Sequence, residues 1–206
     1  GLKLLISLFV MKTHLKLIGG QKIYSPKTNL TRPTTLMVRE AIFNILGREV
    51  VNSFWLDLYS GSGSISCEAI NHGAKKIIAI EKNREIAMIC KKNLLSMIEP
   101  EEKDIKIEII SQDVFTWIRQ TKKKSSPSKI INFEKEKFDF IYLDPPYKEF
   151  LDKSLLNLIF KADFIKKSSI VIYEHAKNNF IEDSDIWKII DRRKYGQTKV
   201  SFLIKI

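Results

Sequence analysis

The sequence predicts an α/β fold around a largely parallel sheet, and three observations predict it. Short apolar runs alternate along the chain with amphipathic segments of helical period. Glycine or an acidic residue stands where each of the first four core runs ends, the places at which an open parallel sheet presents its ligand-binding edge. Two late apolar segments, 186–190 and 200–204, flank Tyr195-Gly196 and read as an antiparallel hairpin that closes the sheet.

Taken in order, residues 15–18, Gly19-Gly20 and 22–24 predict a small β-hairpin, so that 1–33 form an N-terminal extension and 34–206 the main domain. The apolar stretch 4–10 is too short to span a bilayer and lacks a small-residue cleavage site; it reads as a non-native extension before Met11 or as an edge strand. A helix is predicted over 35–46, with Val38, Ile42, Ile45 and Leu46 as its apolar stripe. The first core strand, 54–58, runs into Tyr59-Ser60-Gly61-Ser62-Gly63 and a helix carrying Ile65, Ala69 and Ile70 that stops at Asn71-His72-Gly73. Strand 76–80 ends at Glu81, and a helix over 84–97 leads to strand 105–110, with Asp113 just beyond. Residues 119–137 hold seven basic side chains (Arg119, Lys122, Lys123, Lys124, Lys129, Lys135, Lys137) around Ser125-Ser126-Pro127-Ser128 and read as a loop. Strand 138–143, a helix over 150–160 and strand 170–173 complete the parallel part.

A chain of 206 residues can bury a core without metal or disulfide staples, and its 44% hydrophobic and 29% charged residues exclude wholesale disorder and a membrane protein. The formal charge of +11 favours a polyanionic partner, nucleic acid first, although a lysine-, isoleucine- and asparagine-rich composition accounts for part of the excess. Cys67 and Cys90 assemble neither a disulfide framework nor a zinc site, and His14, His72 and His175 have no metal-ligand spacing. The expectation is a cytoplasmic monomer with no metal and no membrane partner.

Asp57, Gly61, Gly63, Glu81, Asp113 and Asp144 all fall at strand ends and should face one cleft. Gly61-Ser62-Gly63 lets backbone approach a ligand, and Glu81 follows Gly61 at the interval suited to gripping a ribose diol. An adenosine-containing cofactor is implied; Ser66 stands where a dinucleotide fingerprint needs glycine or alanine. Asp144-Pro145-Pro146-Tyr147 is the sharpest signal, because two prolines fix the backbone so that acceptors point rigidly one way. The Asp144 carboxylate and Pro145 carbonyl could hold the hydrogens of an exocyclic amine while Tyr147 stacks on the base.

These motifs, with Thr31-Arg32-Pro33-Thr34 and the segment from Val38 through Arg39 to Leu46, resemble the RsmD family of class I methyltransferases over about residues 19–203. The resemblance implies S-adenosylmethionine as donor, a seven-stranded mostly parallel Rossmann-like sheet with an antiparallel C-terminal hairpin, and an N-terminal hairpin that helps engage RNA. It implies methylation of a guanine N2 in bacterial small-subunit (16S) ribosomal RNA, free or within an assembling subunit. Carried over by position, Asp57, Gly61 and Gly63 contact the methionine part of the donor, Glu81 the ribose and Asp113 the adenine amine. Asp144, Pro145, Pro146 and Tyr147 form the catalytic loop, and Arg32, Thr34 and Arg39 join Tyr147 as substrate-binding residues. Arg39 and Glu40 are alternatively a solvated helix face. Three other functions stay open: a DNA adenine or cytosine amino-methyltransferase, which usually adds a target-recognition domain; a nicotinamide-dependent dehydrogenase, opposed by Ser66; and a non-enzymatic RNA-binding protein, which leaves the strand-end residues unexplained.

Overall fold

Runs such as Phe54–Leu58 and Lys76–Ile80 are apolar on both faces, as strands covered on both sides must be, and here they form the centre of a seven-stranded sheet. The computed structural model describes residues 13–26, 34–122, 128–146, 153–176 and 182–206. Strands β1 (Thr13–Lys16) and β2 (Lys22–Ser25) pair as an antiparallel hairpin. Helix α1 (Leu36–Leu46) precedes β3 (Phe54–Leu58), and α2 (Ser64–Asn71) leads to β4 (Lys76–Ile80). Helix α3 (Arg84–Ser96), β5 (Lys106–Ile110), α4 (Val114–Gln120) and β6 (Phe140–Leu143) follow. Helix α5 (Lys153–Phe160), β7 (Ile170–Ala176), β8 (Trp187–Tyr195) and β9 (Thr198–Lys205) end the chain.

The sheet order is β5-β4-β3-β6-β7-β9-β8. Strands β3 to β7 are parallel, and β9 enters antiparallel to both β7 and β8. The chain winds outward from β3 through β4 to β5 and then returns to β6 beside β3, so the switch point lies between β3 and β6, where a crevice opens at the carboxyl ends. One face of the sheet, carrying Trp55, Ile77 and Phe140, packs under α1, α2, α3 and the hairpin. The opposite face, carrying Leu56, Ile78 and Ile141, packs against Trp117 of α4 and Ile159 of α5.

Three expectations change. Residues 119–137 are not wholly a loop: Arg119 belongs to α4, whose Trp117 and Ile118 are buried, and Ile131 and Phe133 enter the same core. Lys123 and Lys124 lie outside the described residues, as do 1–12. Ile45 faces outward at 36% exposure, and Phe43 and Arg39 occupy the buried stripe of α1 with Val38 and Ile42. The C-terminal hairpin is longer than its apolar core, because β8 continues through the charged residues Asp191 to Lys194 as the sheet's edge strand, where polar side chains blunt further pairing.

The hairpin is fixed to the sheet domain by buried polar groups. Arg39, 1% exposed, pairs with Glu68 on α2 at 2.8 Å and donates to the carbonyls of Thr34 and Lys16. The same Glu68 oxygen accepts the backbone N–H of Ile18, while Leu17 and Ile23 enter the core. Asn93 on α3 accepts from the backbone N–H of Tyr24 and donates to the carbonyls of Tyr24 and Ser62. Arg39→Met strands the Glu68 charge in an apolar core and is expected to lower stability by about 3–5 kcal/mol in urea denaturation. Adding Glu68→Leu should recover part of that loss; a double variant no better than the single one would show that the ion pair is not the cause.

Candidate active site

Loops after the parallel strands surround a cavity of about 670 Å³, the size range of a nucleoside-containing ligand site. Its walls include Asp57 and Gly61 after β3, Glu81 after β4, Asp113 after β5, and Asp144, Pro145 and Pro146 after β6. Thr34 and the hairpin residues Ser25 and Pro26 close it from the other side. Strand-end position alone therefore brings most of the sequence-derived residues together.

The glycine turn is shaped by two distinct demands. Gly61 has φ +53° with open space where a side chain would begin, so the left-handed backbone is what calls for glycine. Gly63 also has positive φ, and a Cβ there would meet Leu94 Cδ1 at 2.6 Å and Cys90 Sγ at 2.7 Å. Its lack of a side chain lets the turn pack against α3, a structural duty beside the donor contact that the resemblance implies.

Glu81 is oriented by its own loop: one carboxylate oxygen accepts the backbone N–H of Gly61 at 3.0 Å and the other that of Asn83 at 2.9 Å. Each oxygen keeps lone-pair capacity for a hydroxyl of a ribose. Asp113 caps α4, its Oδ1 accepting from the backbone N–H of Thr116 at 3.0 Å and from its hydroxyl at 3.2 Å, which holds the carboxylate at the cavity rim. Asp57 is 1% exposed; Ser66 donates to its Oδ2 at 2.6 Å, and its buried Oδ1 has no hydrogen-bond partner among the described residues. Burial raises Asp57 to about 7, with the Glu81 charge adding to the shift and the Ser66 hydroxyl opposing it. An unpartnered carboxylate oxygen in such a site fits an ammonium group, as on the α-carbon of an amino-acid moiety.

Asp144 sits where β6 gives way to the two prolines, and Thr34 Oγ1 donates to its Oδ2 at 3.3 Å. Burial, then the neighbouring Glu174 carboxylate, push Asp144 well above the ordinary carboxylate range, with the Thr34 hydroxyl working in the opposite direction. Glu174 near the end of β7 accepts from Thr34 Oγ1 at 2.9 Å and from the Tyr142 hydroxyl. Sequence reasoning missed Glu174 and Tyr142, although the strand-end rule, applied to the fifth strand, points to Glu174. Arg39 is a correction: neither a cleft residue nor a solvated one, it sits in the core with its guanidinium engaged by Glu68, Thr34 and Lys16. Arg32 and Tyr147 lie outside the described residues. His175 is buried beside Ser201, at 2.8 Å, and stacks on Tyr173.

The sheet order with its antiparallel C-terminal hairpin and the acid-lined crevice at the switch point define a class I S-adenosylmethionine-dependent methyltransferase. Residues 15–204 match the family described as Conserved hypothetical protein 95, and the chain belongs to this family, the RsmD family. Ribosomal RNA small subunit methyltransferase D of Buchnera aphidicola is 28% identical over 190 residues, covering 92% of this chain and 89% of the relative. The solved structure of yhhF from Escherichia coli superposes with a TM-score of 0.74 at 21% identity, over 94% of this chain and 98% of that one. SMU.776, solved in complex with SAH, gives a TM-score of 0.65 at 14% identity, over 91% of this chain and 54% of that one.

Asp57 supplies a test of donor binding. A cationic ammonium favours the ionised carboxylate, so below about pH 7 binding must displace the Asp57 proton. Affinity for S-adenosylmethionine, measured by calorimetry, is expected to fall about tenfold per pH unit below that point. Asp57→Asn should weaken binding and remove this dependence; a wild-type affinity that is flat from pH 8 to pH 5 would contradict the assignment.

Proposed function

We propose that this protein transfers a methyl group from S-adenosylmethionine to the exocyclic N2 of a guanine in small-subunit (16S) ribosomal RNA. The observation that carries the reading is that Asp144 and Pro145 open onto the same cavity as Asp57 and Glu81, so a base held by the first pair meets a donor held by the second. The family and the name of the Buchnera relative support ribosomal RNA as the substrate class.

Bound S-adenosylmethionine supplies an electrophilic methyl on a sulfonium. Asp57 holds its ammonium group, Gly61 and Gly63 form the turn beside its methionine portion, Glu81 takes the ribose and Asp113 the adenine amine. The guanine amine is a poor nucleophile because its lone pair is delocalised into the ring. The Asp144 carboxylate and the Pro145 carbonyl accept its two hydrogens, turning the lone pair out of conjugation and toward the methyl carbon. Pro146 keeps that backbone rigid, Tyr147 stacks on the base, and Arg32 joins it in binding the substrate. Methylation leaves the nitrogen with one proton too many, which is lost to solvent or to a nearby acceptor once the methyl has transferred.

The extension and hairpin within 1–33 act as an appendage of the catalytic domain 34–206 toward RNA. His14 pairs with Tyr24 and Lys16 with Lys22 across the hairpin, and Lys92 of α3 lies 4.5 Å from the Tyr24 ring centroid, so cationic and aromatic groups share one surface. The working form is a cytoplasmic monomer; among the described residues no helix is long and apolar enough to cross a membrane.

Mass spectrometry of ribosomal RNA nucleosides from cells lacking the protein should show loss of one N2-methylguanosine from the small subunit. An unchanged nucleoside profile, with methylation of DNA by the purified protein, would point to an amino-methyltransferase acting on DNA. In single-turnover methylation, Asp144→Ala should cost on the order of 10²–10³ in rate while donor affinity holds. Asp144→Asn keeps an acceptor and should retain part of the activity; Asn and Ala variants that are equally inactive would make the charge itself essential. Tyr147→Ala should weaken capture of the base by about 1–3 kcal/mol.

A further inference from the structure

A second carboxylate, Glu174, stands behind the catalytic one, and a single hydroxyl joins them. Thr34 Oγ1 lies 3.3 Å from Asp144 Oδ2, 2.9 Å from Glu174 Oε2 and 3.1 Å from the Tyr142 hydroxyl, which itself donates to Glu174. Thr34, Tyr142 and Glu174 are all buried, and they come from three separate parts of the chain: the segment before α1, β6 and β7.

The two hydroxyls carry one hydrogen each, and Tyr142 directs its own to Glu174. The single Thr34 hydrogen can then serve only one of the two carboxyl groups at a time, unless one of them brings a proton. With Asp144 neutral, its proton points to Thr34 and Thr34 donates to Glu174. With Asp144 ionised, Thr34 turns its hydrogen to Asp144. Either way, the Asp144 carboxyl group is held at Thr34; Thr34 is held in turn by Glu174, either by donating to it or by accepting a proton that Glu174 carries, and Tyr142 anchors Glu174.

We propose that Glu174, acting through the Thr34 hydroxyl and anchored by Tyr142, is a positioning residue that aims the Asp144 carboxyl group at the amine of the substrate base. The inference rests on Asp144 being the amine acceptor of the proposed methylation. The placement also makes Glu174 the nearby acid that opposes ionisation of Asp144. Among the described residues, the titratable groups around Asp144 are Asp57 from β3, Tyr142 from β6, and Tyr173 and Glu174 from β7; Glu174 is the strongest charge among them. Removing its charge should therefore let Asp144 ionise at lower pH, a change that loss of packing alone does not produce.

The test is single-turnover methylation of small-subunit ribosomal RNA across pH, with S-adenosylmethionine affinity measured in parallel for each variant. Glu174→Gln keeps the shape, so its acid limb should move down by about one pH unit or more. Its plateau rate should fall about tenfold as the aim of Asp144 loosens, a fraction of the roughly 10² attached to a 1 Å misplacement. Thr34→Val should lose about 10² in plateau rate and Thr34→Ser should restore most of it, with donor affinity unchanged in both. Tyr142→Phe, which removes only an oxygen, should fall between wild type and Glu174→Gln and serves as the second probe where Thr34→Val melts early. An acid limb that stays in place in Glu174→Gln, or wild-type rates in Thr34→Val or Tyr142→Phe, overturns the positioning role while leaving the methylation reading intact. A wild-type protein that binds donor and methylates no RNA overturns the methylation reading, and the positioning role with it.

Discussion

The structure depends on placing several carboxylates at one edge of one sheet. Asp57, Glu81, Asp113, Asp144 and Glu174 all lie at or just past the carboxyl ends of parallel strands. Like charges brought together and partly removed from water oppose one another, and the fold answers each of them locally. Backbone amides hold Glu81, a helix N-terminus holds Asp113, the Ser66 hydroxyl holds Asp57, and a shared hydroxyl joins Asp144 to Glu174. A formal charge of +11 therefore coexists with an acidic cavity. The two signs suit different ligands: an acidic crevice suits a cationic donor, and a basic exterior suits a polyanion.

Parallel strands buried on both faces are the most legible elements in a sequence, because their apolar runs are unbroken and their ends are marked by turn residues. Phe54–Leu58 and Lys76–Ile80 were readable to the residue for this reason. The short helix Val114–Gln120 was not, since two of its three buried residues, Trp117 and Ile118, directly precede the basic run and hide the helical period. Ile131 and Phe133 lie within that charged run, and only the core they meet shows that they are anchors.

The site divides along the same line. Residues whose place in the cavity follows from standing at a strand end were legible: Asp57, Gly61, Glu81, Asp113 and Asp144. Residues whose role comes from a partner distant in sequence were not. Arg39 reads as a substrate contact, or else as part of a solvated helix face, because Glu68 is 29 positions away and on another helix. Glu174 is 140 positions from Thr34, and nothing in its local sequence announces the hydroxyl it shares with Asp144. Gly63 was assigned to a ligand although Cys90 and Leu94 already demand a residue without a side chain there.

The amide of Asn93 works as a gauge block. It touches the hairpin on one side, at Tyr24, and the glycine turn on the other, at Ser62, so their separation equals the span of one side chain. The spacing between the hairpin and the glycine turn is thereby set by the fold itself, before any ligand arrives. The Gly19-Gly20 bend, at the far end of β2 from Tyr24, is held separately, because Ile18 beside it donates to Glu68 and Leu17 enters the core, so the hairpin is fixed to the domain at both ends.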